Sequence, residues 1–184
     1  MNIRHMPGTV EPDQLEQLPD ADHYELVGGK LVEKDMGAES DMIALRIGGR
    51  LDLFCLQHQI GRVFGSTTGY CCFPHDPKLL RRPDASFIAN GRLPNNQPPK
   101  GDIQIAPDLA VEVVSPNDLY EEVEAKVNEY LAAGVKLVWV VSPGSRTVLI
   151  RRPDDTCVLV RESGELSGEN VVPGFACKVA ELFV

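Results

Sequence analysis

The sequence predicts an α/β fold, a mixed β-sheet flanked by helices with antiparallel hairpins added to it, and three observations lead there. From Pro107 to Val141 two short apolar runs, Leu109 to Val114 and Val135 to Val141, flank one polar helical segment. That is the pattern of a strand, a crossover helix and a second strand whose strands are buried on both faces, with a right-handed connection. Gly28-Gly29 and Pro153-Asp154-Asp155 each separate two runs that alternate or are apolar, which signals two hairpins. Finally, a helix beginning near Ser40 places Ile43, Ile47, Leu51 and Phe54 on one face.

Taken in order, residues 1–22 are rich in Pro, Asp, Glu and Gln and form an extended or partly helical lead-in. Tyr24 to Val27 and Lys30 to Glu33 make the first hairpin, with Glu25 and Glu33 on its solvated face. The helix that follows has Asp41 in its first turn and stops at Gly61. Its Gly48 and Gly49 each cost about 1 kcal/mol relative to Ala, so they mark close packing against a neighbour. Arg62 to Phe73 reads as a strand, with a turn at Pro74 to Pro77; Arg81 to Ala89 is a second strand that opens at Pro83-Asp84. Residues 90–108, full of Asn, Pro, Gly and Gln, are an exposed loop. The helix of the central unit runs from Asp118 to Ala133, capped by Asp118 with Glu121 three residues on, and is ended by Gly134. Thr147 to Arg151 and Thr156 to Arg161 are the second hairpin; Val171 to Phe175 is a short strand and Val179 to Val184 a terminal helical turn. The expectation is one domain over 1–184, with its core at about 38–142 and the C-terminal hairpin and short elements at 145–184.

Composition narrows the function classes. With 43% hydrophobic and 24% charged residues in 184, the chain is an ordinary globular protein. No apolar run approaches the roughly 20 residues of a membrane span, and Met1 to Gly8 lacks the apolar segment of a secretory signal, so a cytoplasmic protein without membrane contact is expected. Cys55, Cys71, Cys72, Cys157 and Cys177 are odd in number and lack zinc-ligand spacing, which fits reduced, idle thiols. His5, His23, His58 and His75 are scattered and read as incidental. A net charge of −9 argues against general nucleic-acid binding, although Lys78, Arg81, Arg82, Arg92 and Lys100 concentrate positive charge around Pro83-Asp84.

Two residues of the central unit stand where a plain core would not place them. Glu112 lies between Val111 and Val113 in a strand that reads as buried, and Lys126 shares the helix stripe of Leu119, Val123, Tyr130 and Leu131. Together they make either one site, a structural ion pair, or a wet edge strand. Asp84 heads the preceding strand, where Pro and Asp also serve simply as strand entry; Asp108, the second Pro-Asp, begins the strand of Glu112. Two carboxylates and a lysine suit a hard divalent cation such as Mg²⁺ working on a phosphoryl group. The metal neutralises developing charge and acidifies a bound water, and the ammonium orients that water.

These residues carry a resemblance. Arg82-Pro83-Asp84, then Pro107-Asp-Leu-Ala-Val-Glu-Val-Val-Ser-Pro116, then Lys126 with Glu129 to Pro143, resemble the Uma-two family of the PD-(D/E)XK nuclease superfamily. Tyr24 to Val32 and Val172 to Phe175 extend the likeness over about residues 24 to 183. It implies a restriction-endonuclease-like core and a metal-dependent endonuclease acting on DNA, commonly as a homodimer. Asp84 and Glu112 match the two acids and would bind Mg²⁺ or Mn²⁺ with the carbonyl of Val113. The lysine of the motif falls two residues after the second acid, where this chain has Val114, so the resemblance moves that role to Lys126. It further implies an acid from the first helix, Glu39 or Asp41, where many relatives carry a histidine. Arg81, Arg82 and Arg92 would contact DNA. The rival expectation is a silent relative that binds a protein or nucleic-acid partner.

Overall fold

The computed structural model describes residues 3–4, 9–34 and 37–184; the rest of the lead-in, His5 included, lies outside them. Six strands build the main sheet: β4 (Gly61–Gly65), β5 (Ala85–Ala89), β6 (Leu109–Val113), β7 (Leu137–Ser142), β8 (Thr147–Arg151) and β9 (Cys157–Arg161). They lie in that order, antiparallel throughout except for the parallel pair β6 and β7. That pair is joined by α3 (Tyr120–Ala132), the unit expected around Glu112.

Strand alternation sends successive residues of β6 to opposite faces, and this decides where the carboxylate goes. Leu109, Val111 and Val113 pack with Ile43, Ile47 and Leu51 of α2 (Ala38–His58), while Ala110 lies with Val127 and Tyr130 of α3. Glu112 is therefore directed to the α3 side. Asp84 immediately precedes β5, and continuing the register that pairs Ala85 with Val111 brings it opposite Glu112.

The first hairpin, β2 (Tyr24–Val27) and β3 (Lys30–Glu33), forms as expected, with φ of 55° and 73° at Gly28 and Gly29 giving the left-handed turn that only glycine adopts freely. Joined by β1 (Ile3–Arg4), it makes a separate small sheet. Reciprocal backbone bonds between Leu26 and Leu80 tie it to the segment leading into Asp84.

Several local expectations are corrected. The strand expected over Arg62 to Phe73 ends at Gly65, where the chain turns; Tyr70 then makes isolated bridges to Arg81 and Ile103. α2 stops at His58 because Gln59 adopts a left-handed conformation, and Gly61 instead opens β4, where an added Cβ would stand 2.3 Å from Phe87. Asp118 caps no helix N–H; its carboxylate accepts from the Ser115 N–H, and Leu119 takes the cap position with its side chain exposed. Val172 and Phe175 are buried but sit in turns, between β10 (Glu165–Ser167) and β11 (Ala176–Lys178), which pair with each other. The second hairpin, β8 and β9, forms as expected and extends the main sheet at the β7 edge. No helix among the described residues is long and apolar enough to cross a membrane.

Candidate active site

Between β3, β5, β6 and the start of α3 a cavity opens, with Asp84, Glu112, Lys126, Lys34 and Glu25 on its walls. Asp84 is 4% exposed, Glu112 6% and Glu25 2%, so three buried carboxylates share one pocket. Burying them uncompensated would be prohibitive, and the partners explain how the fold tolerates it.

Asp84 is fixed by its backbone neighbour: Oδ2 accepts from the Val113 N–H at 2.6 Å. Glu112 Oε1 accepts from the Tyr130 hydroxyl at 2.7 Å, and Oε2 lies 3.4 Å from Lys126 Nζ. Lys126 and Tyr130 are one helical turn apart on α3, so a single face of that helix supplies both partners. Lys126 Nζ also lies 3.3 Å from Glu25 Oε2, which in turn meets Arg81 Nη1 at 2.8 Å. The other Glu25 oxygen accepts the Arg82 N–H. Arg81 completes the chain with a two-pronged pairing to Glu129.

The electrostatics of the acids diverge. Burial, which the Lys126 charge only partly offsets and the neighbouring Asp84 reinforces, pushes Glu112 up to about 7. Burial also acts on Glu25, but Lys126, Arg81 and Lys34 together outweigh it and hold this carboxyl down to about 2. Burial would discharge Lys126, yet Glu112 and Glu25 win and raise it further. Glu25 and Lys126 are thus a committed ion pair, while Glu112 is poised and under-compensated.

The donor set fits a hard cation. Asp84 Oδ1 is buried and lacks hydrogen-bond geometry to any group, although Lys34 Nζ stands 2.7 Å away. Two adjacent carboxylates with one such oxygen suit Mg²⁺, which keeps several waters and needs few protein ligands. No group of three or more His, Cys, Asp or Glu side chains among the described residues is arranged to hold a metal.

Asp84, Glu112, Val113 and Lys126 come together in this cavity. Glu39 does not: it is exposed in the first turn of α2, and its charge acts on Arg146. Asp41 lines a separate groove that reaches Asp84 from the α2 side. The expectation that Arg81 and Arg82 contact DNA is corrected, since they are 3% and 4% exposed. Arg81 neutralises Glu25, and Arg82 donates to the carbonyls of Tyr24, Thr67 and Ala21. Arg92 pairs with Asp108 at the opposite end of β6 from Glu112; Asp108 also accepts the Ala89 N–H, the strand-starting role expected of it.

Glu25 and Lys34 were missed from sequence. Both Glu25 and Leu26 are buried because β2 is covered on both faces, so the alternation that assigned Glu25 to solvent fails there. Glu33, by contrast, is exposed as expected. Lys34 lies just past a strand end, where no periodicity speaks.

The family model described as "Uma2: Putative restriction endonuclease" matches residues 12–180. No curated protein matches the chain. Among solved structures the chain is similar to one described as "a putative nuclease belonging to DUF820 from Anabaena variabilis ATCC 29413", with a TM-score of 0.79 and 21% identity over 96% of this chain and 98% of that one. At that identity the likeness shows a shared fold.

Proposed function

The chain belongs to the Uma2 family, and from that membership we propose a Mg²⁺-dependent endonuclease of the PD-(D/E)XK type, hydrolysing DNA phosphodiester bonds as a homodimer. The observation that carries this reading is Asp84 and Glu112 facing one another across β5 and β6 in a cavity that also receives Lys126. Asp84, Glu112 and the Val113 carbonyl would hold the ion, with Mn²⁺ as a substitute. Once bound, it would neutralise phosphoryl charge and acidify a water ligand.

The chain's own groups have definable tasks. Glu25 and Glu112 keep Lys126 charged and in place, so its ammonium can orient the attacking water or stabilise the pentavalent charge. Tyr130 fixes the Glu112 carboxylate, and burial strengthens each of these interactions by excluding water. Glu33, Asp118 and Glu122 also line the cavity, so a phosphate backbone approaches acidic walls. A divalent ion is then needed for substrate binding as well as for chemistry.

The test is nicking of supercoiled plasmid and cleavage of short duplexes with Mg²⁺ or Mn²⁺. Activity lost in EDTA, and reduced at least about 100-fold in Asp84→Ala and Lys126→Ala, is the expected result. Cleavage that persists in EDTA or in Asp84→Ala would sink the reading.

A second reading is favoured by one observation: Lys34, Lys126 and Arg81 already pair with Asp84, Glu112 and Glu25. A catalytically silent module needs nothing more. Under it, purified folded protein neither cuts DNA nor binds Mg²⁺.

A further inference from the structure

Lys34 is the residue that the reading above leaves without a task, and its surroundings are unusual for a lysine. Its side chain is only 10% exposed, at the end of β3, and its ammonium is held by oxygens alone. Asp84 Oδ1 lies at 2.7 Å, the Arg82 carbonyl at 2.6 Å and the Ser66 carbonyl at 3.5 Å. A cluster of anionic and carbonyl oxygens is also the environment a hard divalent cation requires.

The two oxygens of Asp84 are not equivalent. Oδ2 is engaged by the Val113 N–H, so Oδ1 is the oxygen left for a cation, and it is the one that Lys34 faces. Lys126, the other ammonium in the cavity, contacts Glu112 and Glu25 instead. The flexible four-carbon stem of a lysine can carry its charge away from a carboxylate without any backbone movement.

We propose that Lys34 is a resident cation on Asp84, which a divalent ion must displace or share the carboxylate with, so that Lys34 sets how tightly the site binds divalent metal. The proposal rests on Asp84 being a metal ligand. In the metal-free protein Lys34 compensates a buried carboxylate; in the loaded protein the ion takes over that compensation. Removing the ammonium leaves Asp84 and Glu112 with less positive charge near them and therefore with a stronger demand for a cation.

Binding of Mn²⁺ to the full chain, followed by calorimetry and by loss of the free-ion electron paramagnetic resonance signal, tests this without an activity assay. Lys34→Met is expected to lower the Mn²⁺ dissociation constant at least tenfold, and Lys34→Gln to do the same if the Met variant does not fold. Lys34→Arg, which keeps the charge, stays within about threefold of wild type. Lys136→Met, which removes an exposed lysine at Asp108, leaves the constant unchanged. Unchanged or weaker binding in the neutral Lys34 variants overturns the proposal; if wild type still binds Mn²⁺ in a manner lost in Asp84→Ala, the metal site itself stands. Absence of Asp84-dependent binding in every variant overturns both.

Discussion

Glu25 takes two cationic side chains at once, Arg81 and Lys126. It also accepts the Arg82 N–H while 2% exposed. Removing one partner of a buried charge pair costs about 3–5 kcal/mol, because the remaining charges stay desolvated. Glu25→Gln should lower stability by that order, read as a shift in denaturant midpoint at constant slope. Glu33→Gln, on the same hairpin but exposed, should stay within about 0.5 kcal/mol. A pH dependence follows with a definite sign. The folded carboxyl sits at about 2 against an ordinary 4.5, so between those values the unfolded chain binds the extra proton. Stability contributed by Glu25 is present above pH 4.5 and is lost as pH falls through about 2. Wild type should therefore lose stability over that window more steeply than Glu25→Gln, as acid-titrated thermal melts would record.

At the scale of elements, the first hairpin and the residue that follows it deliver three of the eight charged groups lining the cavity, Glu25, Glu33 and Lys34, although the hairpin belongs to a different sheet. Its turn is the vulnerable point. At Gly29 φ is 73°, and a Cβ there would lie 2.9 Å from the side chain of Thr9. Gly29→Ala combines left-handed strain with a clash, so a loss of about 2 kcal/mol or more is expected. It should also tighten metal binding, because Lys34 shifts with the hairpin away from Asp84. Gly144→Ala is the comparison: nothing lies within 4 Å of a Cβ there, and neither stability nor binding should change measurably. Should Gly29→Ala leave both quantities intact, the hairpin is not what positions the cluster.

For the whole molecule, the parallel pair β6 and β7 with α3 across it forms a frame onto which β4 and β5 add on one edge and β8 and β9 on the other. The site lies where strand β6, helix α3 and the outer hairpin meet, so an ion bound there cross-links distant parts of the chain. Ligand binding to the folded state alone stabilises by about 2.7 kcal/mol at 100 times the dissociation constant. Saturating Mg²⁺ should raise the melting temperature of wild type and leave Asp84→Ala unmoved; equal shifts in both would place the ion elsewhere. The net charge of −9 and the acidic walls make a matching demand on substrate binding. Duplex DNA should bind poorly in EDTA and gain affinity when Ca²⁺ is added, measured by fluorescence anisotropy at fixed ionic strength.

The sequence carries the strand, helix and strand unit, both hairpins, and the placing of Glu112 on the central strand and Lys126 on the helix stripe, while Asp84 is singled out by the family resemblance. Those signals are local: an apolar run's length, a helix stripe, a pair of glycines that accept positive φ. Even the direction of Glu112 follows from alternation once β6 is known to be central. Burial and pairing belong to the tertiary structure, because they depend on residues far apart in the chain. Glu25 meets Arg81 across 56 positions, and Lys34 meets the Arg82 carbonyl across 48. A basic run such as Arg81-Arg82 looks the same in sequence whether it faces solvent or neutralises a core carboxylate. Only packing the hairpin against the main sheet turned those arginines inward, drew Glu25 out of solvent and set Lys34 on Asp84, since a buried charge goes wherever its opposite is also buried.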